Sequence, residues 1–182
     1  MRLRRPPSLL RKLGILLATA LLLSVLAPVG AVADERSAAS VNLRTPFDCG
    51  QVWNANTRTN HHPQLAVDFQ RSDAQGQNVR SSAAGTVTTV EDLGDESYGR
   101  YIVIDHGSGV STLYAHLQTQ SVSVGDSVST GTVIGTVGST GGSTGPHLHY
   151  EQIVDGTVVR AVLNGLEIAY YGDTTVTSST GC

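Results

Sequence analysis

Gly138-Ser-Thr-Gly-Gly-Ser-Thr-Gly-Pro-His147-Leu-His149-Tyr-Glu151 is the stretch whose reading decides the fold. A loop of glycine, serine and threonine closes on Pro146 and opens a strand. Successive strand side chains point to opposite faces, so His147, His149 and Glu151 share one face and Leu148 lies on the other. Pro146 biases Gly145 towards extended backbone and so prepares the strand. An isolated His-x-His is often no more than a surface feature. The rest of the chain has to supply partners for it.

The remaining sequence is all-β in character. Val79 to Ser81, Gly85 to Val90, Tyr101 to His106, Val110 to Tyr114, Thr132 to Val137, His147 to Val154 and Thr157 to Val162 combine β-branched or aromatic residues with period-two alternation, between Gly, Asp and Ser turns. No segment has a helical period of useful length. Leu65 to Phe69 reads as a further short strand, with Val67 and Phe69 on the side of Leu65 and with Ala66 and Asp68 opposite. The Asn54 to Gln64 stretch, rich in Asn, Thr and His, reads as a loop that delivers His61 and His62. Trp53, the only tryptophan, reads as a core or groove-wall residue. Val122 to Gly131 has the valine alternation of a small carrier hairpin but no lysine, which excludes a lipoyl or biotin carrier. The expectation is one all-β domain of antiparallel sheets over 47–182, forming a long groove.

The first 33 residues read as a signal peptide. Arg2, Arg4, Arg5, Arg11 and Lys12 form a basic region, an apolar run follows from Leu13 to Ala27, and Ala31-Val32-Ala33 offers a cleavage site before Asp34. Pro28 and Gly30 beside that site favour cleavage over an uncleaved anchor. Pro6-Pro7 after Arg4-Arg5 favours general secretion over a twin-arginine route. Residues 34–46 are small and polar and read as a flexible lead-in.

Removing the leader takes five of twelve basic residues and no acid, leaving seven against fifteen, a net charge of −8 with no lysine. A chain so acidic lacks the basic surface that nucleic acid requires. It also lacks the charge to adhere to an anionic membrane. Two cysteines remain, Cys49 and Cys182, and in an exported protein such a pair reads as a disulfide.

All six histidines, at 61, 62, 106, 116, 147 and 149, lie after the leader. A catalytic zinc site takes three protein ligands, imidazoles with or without a carboxylate, and keeps one position open. One of His61 or His62, Asp68, and one of His147 or His149 make such a set. His116, in Leu113-Tyr-Ala-His-Leu117, is a further polar candidate for the same cleft; Tyr114 joins it on one face if that strand continues. His106 precedes a Gly-Ser-Gly turn and reads as a turn-stabilising residue.

From Phe47 to its end the chain resembles the lysostaphin-type zinc endopeptidases, or LytM-domain peptidases. The resemblance rests on His61 and Asp68 in Ala-Val-Asp-Phe, Ala84-Gly-Thr-Val, Ile104-Asp-His-Gly, Leu113-Tyr-Ala-His-Leu, the Val124-Gly-Asp to Ile134-Gly segment, and Thr140 through Pro-His-Leu-His-Tyr-Glu151. It implies zinc held by His61, Asp68 and His149, with His116 and His147 flanking the reacting groups. Here His61 and His62 are adjacent, and the form His, one residue, then Pro favours His61. The early His and Asp are also more widely spaced than in the common short version of the motif. The resemblance further implies a secreted or wall-associated enzyme acting on peptidoglycan peptides, and pairing of the two cysteines; the expected state is a monomer. Two rivals remain open: a non-catalytic wall-binding or hydrolase-activating module on the same fold, and a non-haem iron site.

Overall fold

The computed structural model describes residues 41–182, so the expected signal peptide and most of the expected lead-in lie outside the described residues. Fourteen strands follow in chain order: β1 (Val52–Thr57), β2 (Val67–Gln70), β3 (Asn78–Arg80), β4 (Gly85–Asp92), β5 (Arg100–Asp105), β6 (Val110–Ala115), β7 (Leu117–Gln120), β8 (Ser127–Val128), β9 (Val133–Val137), β10 (Leu148–Val154), β11 (Thr157–Val159), β12 (Val162–Leu163), β13 (Leu166–Glu167) and β14 (Gly172–Thr177). The described residues contain no helix, and the strand pairings are antiparallel. The expected all-β fold is borne out.

The main sheet runs β14-β1-β2-β10-β6-β5-β4-β8, with β11 paired to β10; β3-β9-β7 form a second sheet and β12-β13 a short third one. The core lies where the apolar faces of these strands meet. Val67 and Phe69 of β2, Ile102 and Ile104 of β5, Tyr114 of β6, Leu148 and Tyr150 of β10 and Ile134 of β9 are each fully buried. Phe47 stacks on Trp53 with ring centroids 3.8 Å apart, so Trp53 is a core residue. Burying large aromatic and aliphatic groups is the main favourable term of such a fold.

Two expectations are corrected at the front of the domain. The stretch read as a loop from Asn54 is strand as far as Thr57. Asn54 and Asn56 have poor strand propensity, but β1 is flanked by β2 on one side and β14 on the other, and pairing on both edges overrides it. The lead-in is already packed where it is described: Leu43 and Thr45 are buried, and Arg44 N–H donates to Ser82 O. Strands β7 and β14 also escaped the sequence reading, being short or rich in polar residues.

Cys49 and Cys182 form a disulfide across a sequence separation of 133. It ties the chain end to the start of β1, beside the edge pair β1–β14. Closing a loop of that length is worth up to about 5 kcal/mol in the chain-entropy picture. Among the described residues no helix is long and apolar enough to cross a membrane.

Candidate metal centre

Register assembles the site. In the β2–β10 ladder His149 stands directly opposite Asp68, and in the β10–β6 ladder it stands opposite Ala115. Directly opposed residues share a face, so Asp68 and His149 project together. Ala115 on the other side leaves that face open. On the reverse face Val67, Phe69, Leu148 and Tyr150 enter the core. The alternation expected for both strands is therefore observed. His61 comes from the β1–β2 loop, and His147 from the β9–β10 loop, just before β10.

His61, Asp68 and His149 each offer a ligand atom, all within 4.8 Å of one another. Asp68 Oδ1 is 3.1 Å from His61 Nε2, 3.4 Å from His149 Nδ1 and 3.6 Å from His147 Nε2. His62 is exposed on the cleft wall. Each ring's other nitrogen is engaged: His61 Nδ1–H donates to Ala66 O (3.2 Å), His149 Nε2–H to Glu151 Oε1 (2.9 Å) and His147 Nδ1–H to Gly145 O (2.8 Å). These bonds fix which nitrogen presents a lone pair to the site.

The consequence is an electrostatic conflict. Three imidazole lone pairs surround a buried carboxylate oxygen that has no hydrogen-bond partner among the described residues. A buried anionic atom without a partner is costly, and a cation between these groups removes the cost. Protons and a metal ion compete for that place. Burial disfavours the charged form of Asp68, but protons carried on the facing nitrogens of His149, His61 and His147 outweigh it and hold the carboxyl well below the usual range. Burial likewise lowers His149, and Asp68 and Glu151 outweigh it and raise it. Two neutral imidazoles and one carboxylate suit zinc, so the donor set fits the metal that the motifs imply.

His116 reaches the site by a backbone device that alternation does not foresee. β6 ends at Ala115, and His116 has φ +60, in the left-handed region. Continued alternation would put it with Tyr114, whose ring packs against Tyr150 in the core. The turn swings it to the cleft instead, 4.8 Å from the His147 ring and 5.6 Å from that of His149. Tyr114 and His116 thus do not share a face. Tyr114 packs: its hydroxyl accepts from Ser82 N–H and from Thr112 Oγ1. His116 Nδ1–H donates to Thr140 O (2.8 Å), leaving Nε2 without a partner among the described residues. Burial first, then His147 and His149, push His116 down to about 4.

His106 lies apart from the cleft, bonded to Ala84 O and Thr112 Oγ1 as a turn-stabilising residue.

Two residues of the site gave no sequence signal. Tyr98, in the β4–β5 loop, donates to Glu151 Oε1 (2.6 Å), so Tyr98, Glu151 and His149 form one chain of hydrogen bonds ending at the candidate metal site. Burial and the neighbouring Glu151 raise the Tyr98 hydroxyl above its ordinary value, so it stays protonated as a donor. Arg58, in the β1–β2 loop, pairs with Asp68 Oδ2, the oxygen turned away from the histidines.

The glycine-rich loop divides into two parts. A Cβ on Gly141 would lie 2.3 Å from Gly99 N, and one on Gly138 would lie 2.4 Å from Gln118 N. These glycines let the loop lock against the Tyr98 loop and β7. A Cβ on Gly145 meets nothing within 4 Å, and Gly142, Thr144, Gly145 and Pro146 line an open cleft of about 1110 Å³ with the histidines.

Fold and site together define an antiparallel β domain with a two-histidine, one-carboxylate donor set in an open cleft. The chain belongs to peptidase family M23, whose profile matches residues 62–161, beginning one residue after His61. This bears out the resemblance read from the motifs. The DD-carboxypeptidase/endopeptidase Mpg of Neisseria meningitidis serogroup B is 51% identical over 102 residues, 56% of this chain and 23% of that one. The peptidoglycan DD-endopeptidase ShyC of Vibrio cholerae is 36% identical over 117 residues, 63% of this chain and 27% of that one. The crystal structure of a zinc-containing peptidase from Vibrio cholerae superposes with a TM-score of 0.55 at 31% identity, covering 68% of this chain and 40% of that one. The chain spans about a quarter of the length of the curated relatives it matches.

Proposed function

We propose that the protein is an exported zinc endopeptidase that hydrolyses peptide bonds of bacterial peptidoglycan. The observation that carries this reading is the unpartnered Asp68 Oδ1 facing the lone pairs of His61 Nε2 and His149 Nδ1 in an open cleft. Those three atoms would hold the zinc. When bound, zinc supplies Lewis acidity that polarises a peptide carbonyl and acidifies water.

The chain's own residues supply the rest. His116 and His147 each have Nδ1 tied to a backbone carbonyl, so their Nε2 atoms are the acceptors available beside the metal site. His116 is neutral at pH 7. Of this pair, one imidazole takes a proton from the attacking water and returns it to the leaving amine, and the other stabilises the oxyanion when its Nε2 carries a proton. Glu151, fixed by Tyr98, holds the His149 ring so that Nδ1 faces Asp68. The wall from Gly142 to Pro146 admits an extended peptide.

Peptidoglycan as substrate is supported by the names of the relatives Mpg and ShyC. Export is supported by the pattern of residues 1–33 and by the disulfide, a bond of oxidising compartments. The full candidate ligand set favours catalysis over the wall-binding or activating module.

The test is metal content and wall digestion by the wild type and by His149→Ala. Wild type is expected to carry about one zinc per chain and to digest peptidoglycan, with the variant slower by at least about 10³-fold. A metal-free wild type, or equal digestion by the variant, would sink the reading.

A further inference from the structure

The charge of the cleft differs from that of the protein around it. After the leader the chain carries −8, yet among the described residues the only acid lining the cleft is Asp68, the candidate metal ligand. Two guanidinium groups, Arg58 and Arg71, line it as well. They are not equivalent. Arg71 is held by both oxygens of Asp73 (2.5 and 3.0 Å) and lies 5.2 Å from the centre of the Trp53 ring. Its charge is compensated within the protein. Arg58 uses Nη2 on Asp68, while its Nε and Nη1 have no hydrogen bond among the described residues, and its side chain is 45% exposed.

We propose that Arg58 is an anion subsite of the cleft: the guanidinium edge that Asp68 leaves open, the second Nη2–H with the N–H beside it, binds a carboxylate of the substrate and selects peptides with a free carboxylate one or two residues from the scissile bond. This deepens the peptidase reading above and rests on it. Clamping Asp68 needs only one N–H, so the guanidinium keeps an edge whose planar fork matches a carboxylate. The position of that edge sets the distance. Asp68 puts Oδ2 on Arg58 and Oδ1 on the His61–His149 pair, so the anion site is one carboxylate away from the metal site. An extended chain advances about 3.3–3.6 Å per residue, which places the bound carboxylate one or two residues from the bond under attack. The net charge of −8 repels an anionic ligand at long range. A local cation with N–H donors to spare is what turns that repulsion into recognition.

The test uses disaccharide-peptide dimers prepared from peptidoglycan, in native form and with their carboxylates converted to amides by carbodiimide and ammonia. Binding is measured by calorimetry on the zinc-loaded protein carrying His147→Ala, so that no bond is cut, and kcat/KM is measured on the otherwise unaltered protein. The native dimer is expected to bind about tenfold tighter than the amidated one. Arg58→Gln is expected to bring that ratio close to one, and Arg71→Gln to keep it within about twofold. The same ratios are expected in kcat/KM, with the loss in KM. Because the ratio compares two ligands on one protein, any slackening of Asp68 in Arg58→Gln cancels from it. Equal binding of the two dimers without the Arg58 substitution overturns the proposal, whatever the turnover. So does a ratio that Arg58→Gln leaves intact, or one that Arg71→Gln abolishes instead. A preserved binding ratio with no cleavage of either dimer would sink the peptidase reading while leaving the anion subsite standing.

Discussion

The two faces of β10 are equally buried and chemically opposite. On one, Leu148 and Tyr150 are at 0% exposure; on the other, His149 and Glu151 are at 2%. The polar groups beneath the sheet close on one another: Tyr150 hydroxyl donates to Ser82 Oγ, and Tyr114 hydroxyl accepts from Ser82 N–H. Above it the network is left open at Asp68 Oδ1. Burial therefore does not distinguish core from site here. An unmet demand for positive charge does, and it stands on strands whose opposite face is rigidly packed, as precise ligand geometry requires.

Neighbouring substitutions on β10 break this comparison most sharply. Leu148→Ala is expected to lower stability by about 3 kcal/mol in urea denaturation, with folded protein retaining metal. His149→Ala is expected to do the reverse, losing the metal while the core remains assembled. Equal loss of metal in both would mean that the two faces are not separable. A smaller effect is expected at Tyr98→Phe, which leaves Glu151 without one donor. Zinc affinity should fall about tenfold in a competition titration with a chelator, and unchanged affinity would reduce Tyr98 to a packing role.

Gly145→Val tests the wall of the cleft. A Cβ there meets no protein atom within 4 Å, so the zinc content should hold while KM rises by about fivefold, a cost of about 1 kcal/mol borne by the peptide. Unchanged turnover would count against the wall role. The smallest effect expected is a change of slope with pH in the metal-free protein. His116, pushed down to about 4 in the fold, has an ordinary value near 6.5 when unfolded. Below 6.5 the unfolded chain binds the extra proton, so the stability present above 6.5 is lost progressively as pH falls towards 4. His116→Gln should flatten that part of the stability profile, and an unaltered slope would show that His116 is not held neutral.

Much of the site was legible because it depends on period-two alternation. That rule put His149 and Glu151 opposite Leu148, and Asp68 opposite Val67 and Phe69. It failed at His116, where one left-handed residue resets the alternation and parts it from Tyr114. It could not find Tyr98 or Arg58, which come from loops and carry no periodic signal. β1 was missed because its strand state comes from two partners rather than from its own asparagines.

By itself the sequence determined the β class, the pairing of Cys49 with Cys182 and the residue types that could ligate a metal, because these follow from local periodicity, composition and covalent chemistry. Only the tertiary structure decided which atoms meet. The register that sets His149 against Asp68, the turn that brings in His116, and the hydrogen bonds that aim His61 Nε2 and His149 Nδ1 at one oxygen are long-range facts. They arise from strands distant in sequence pairing in one register, fixed by the apolar face they share.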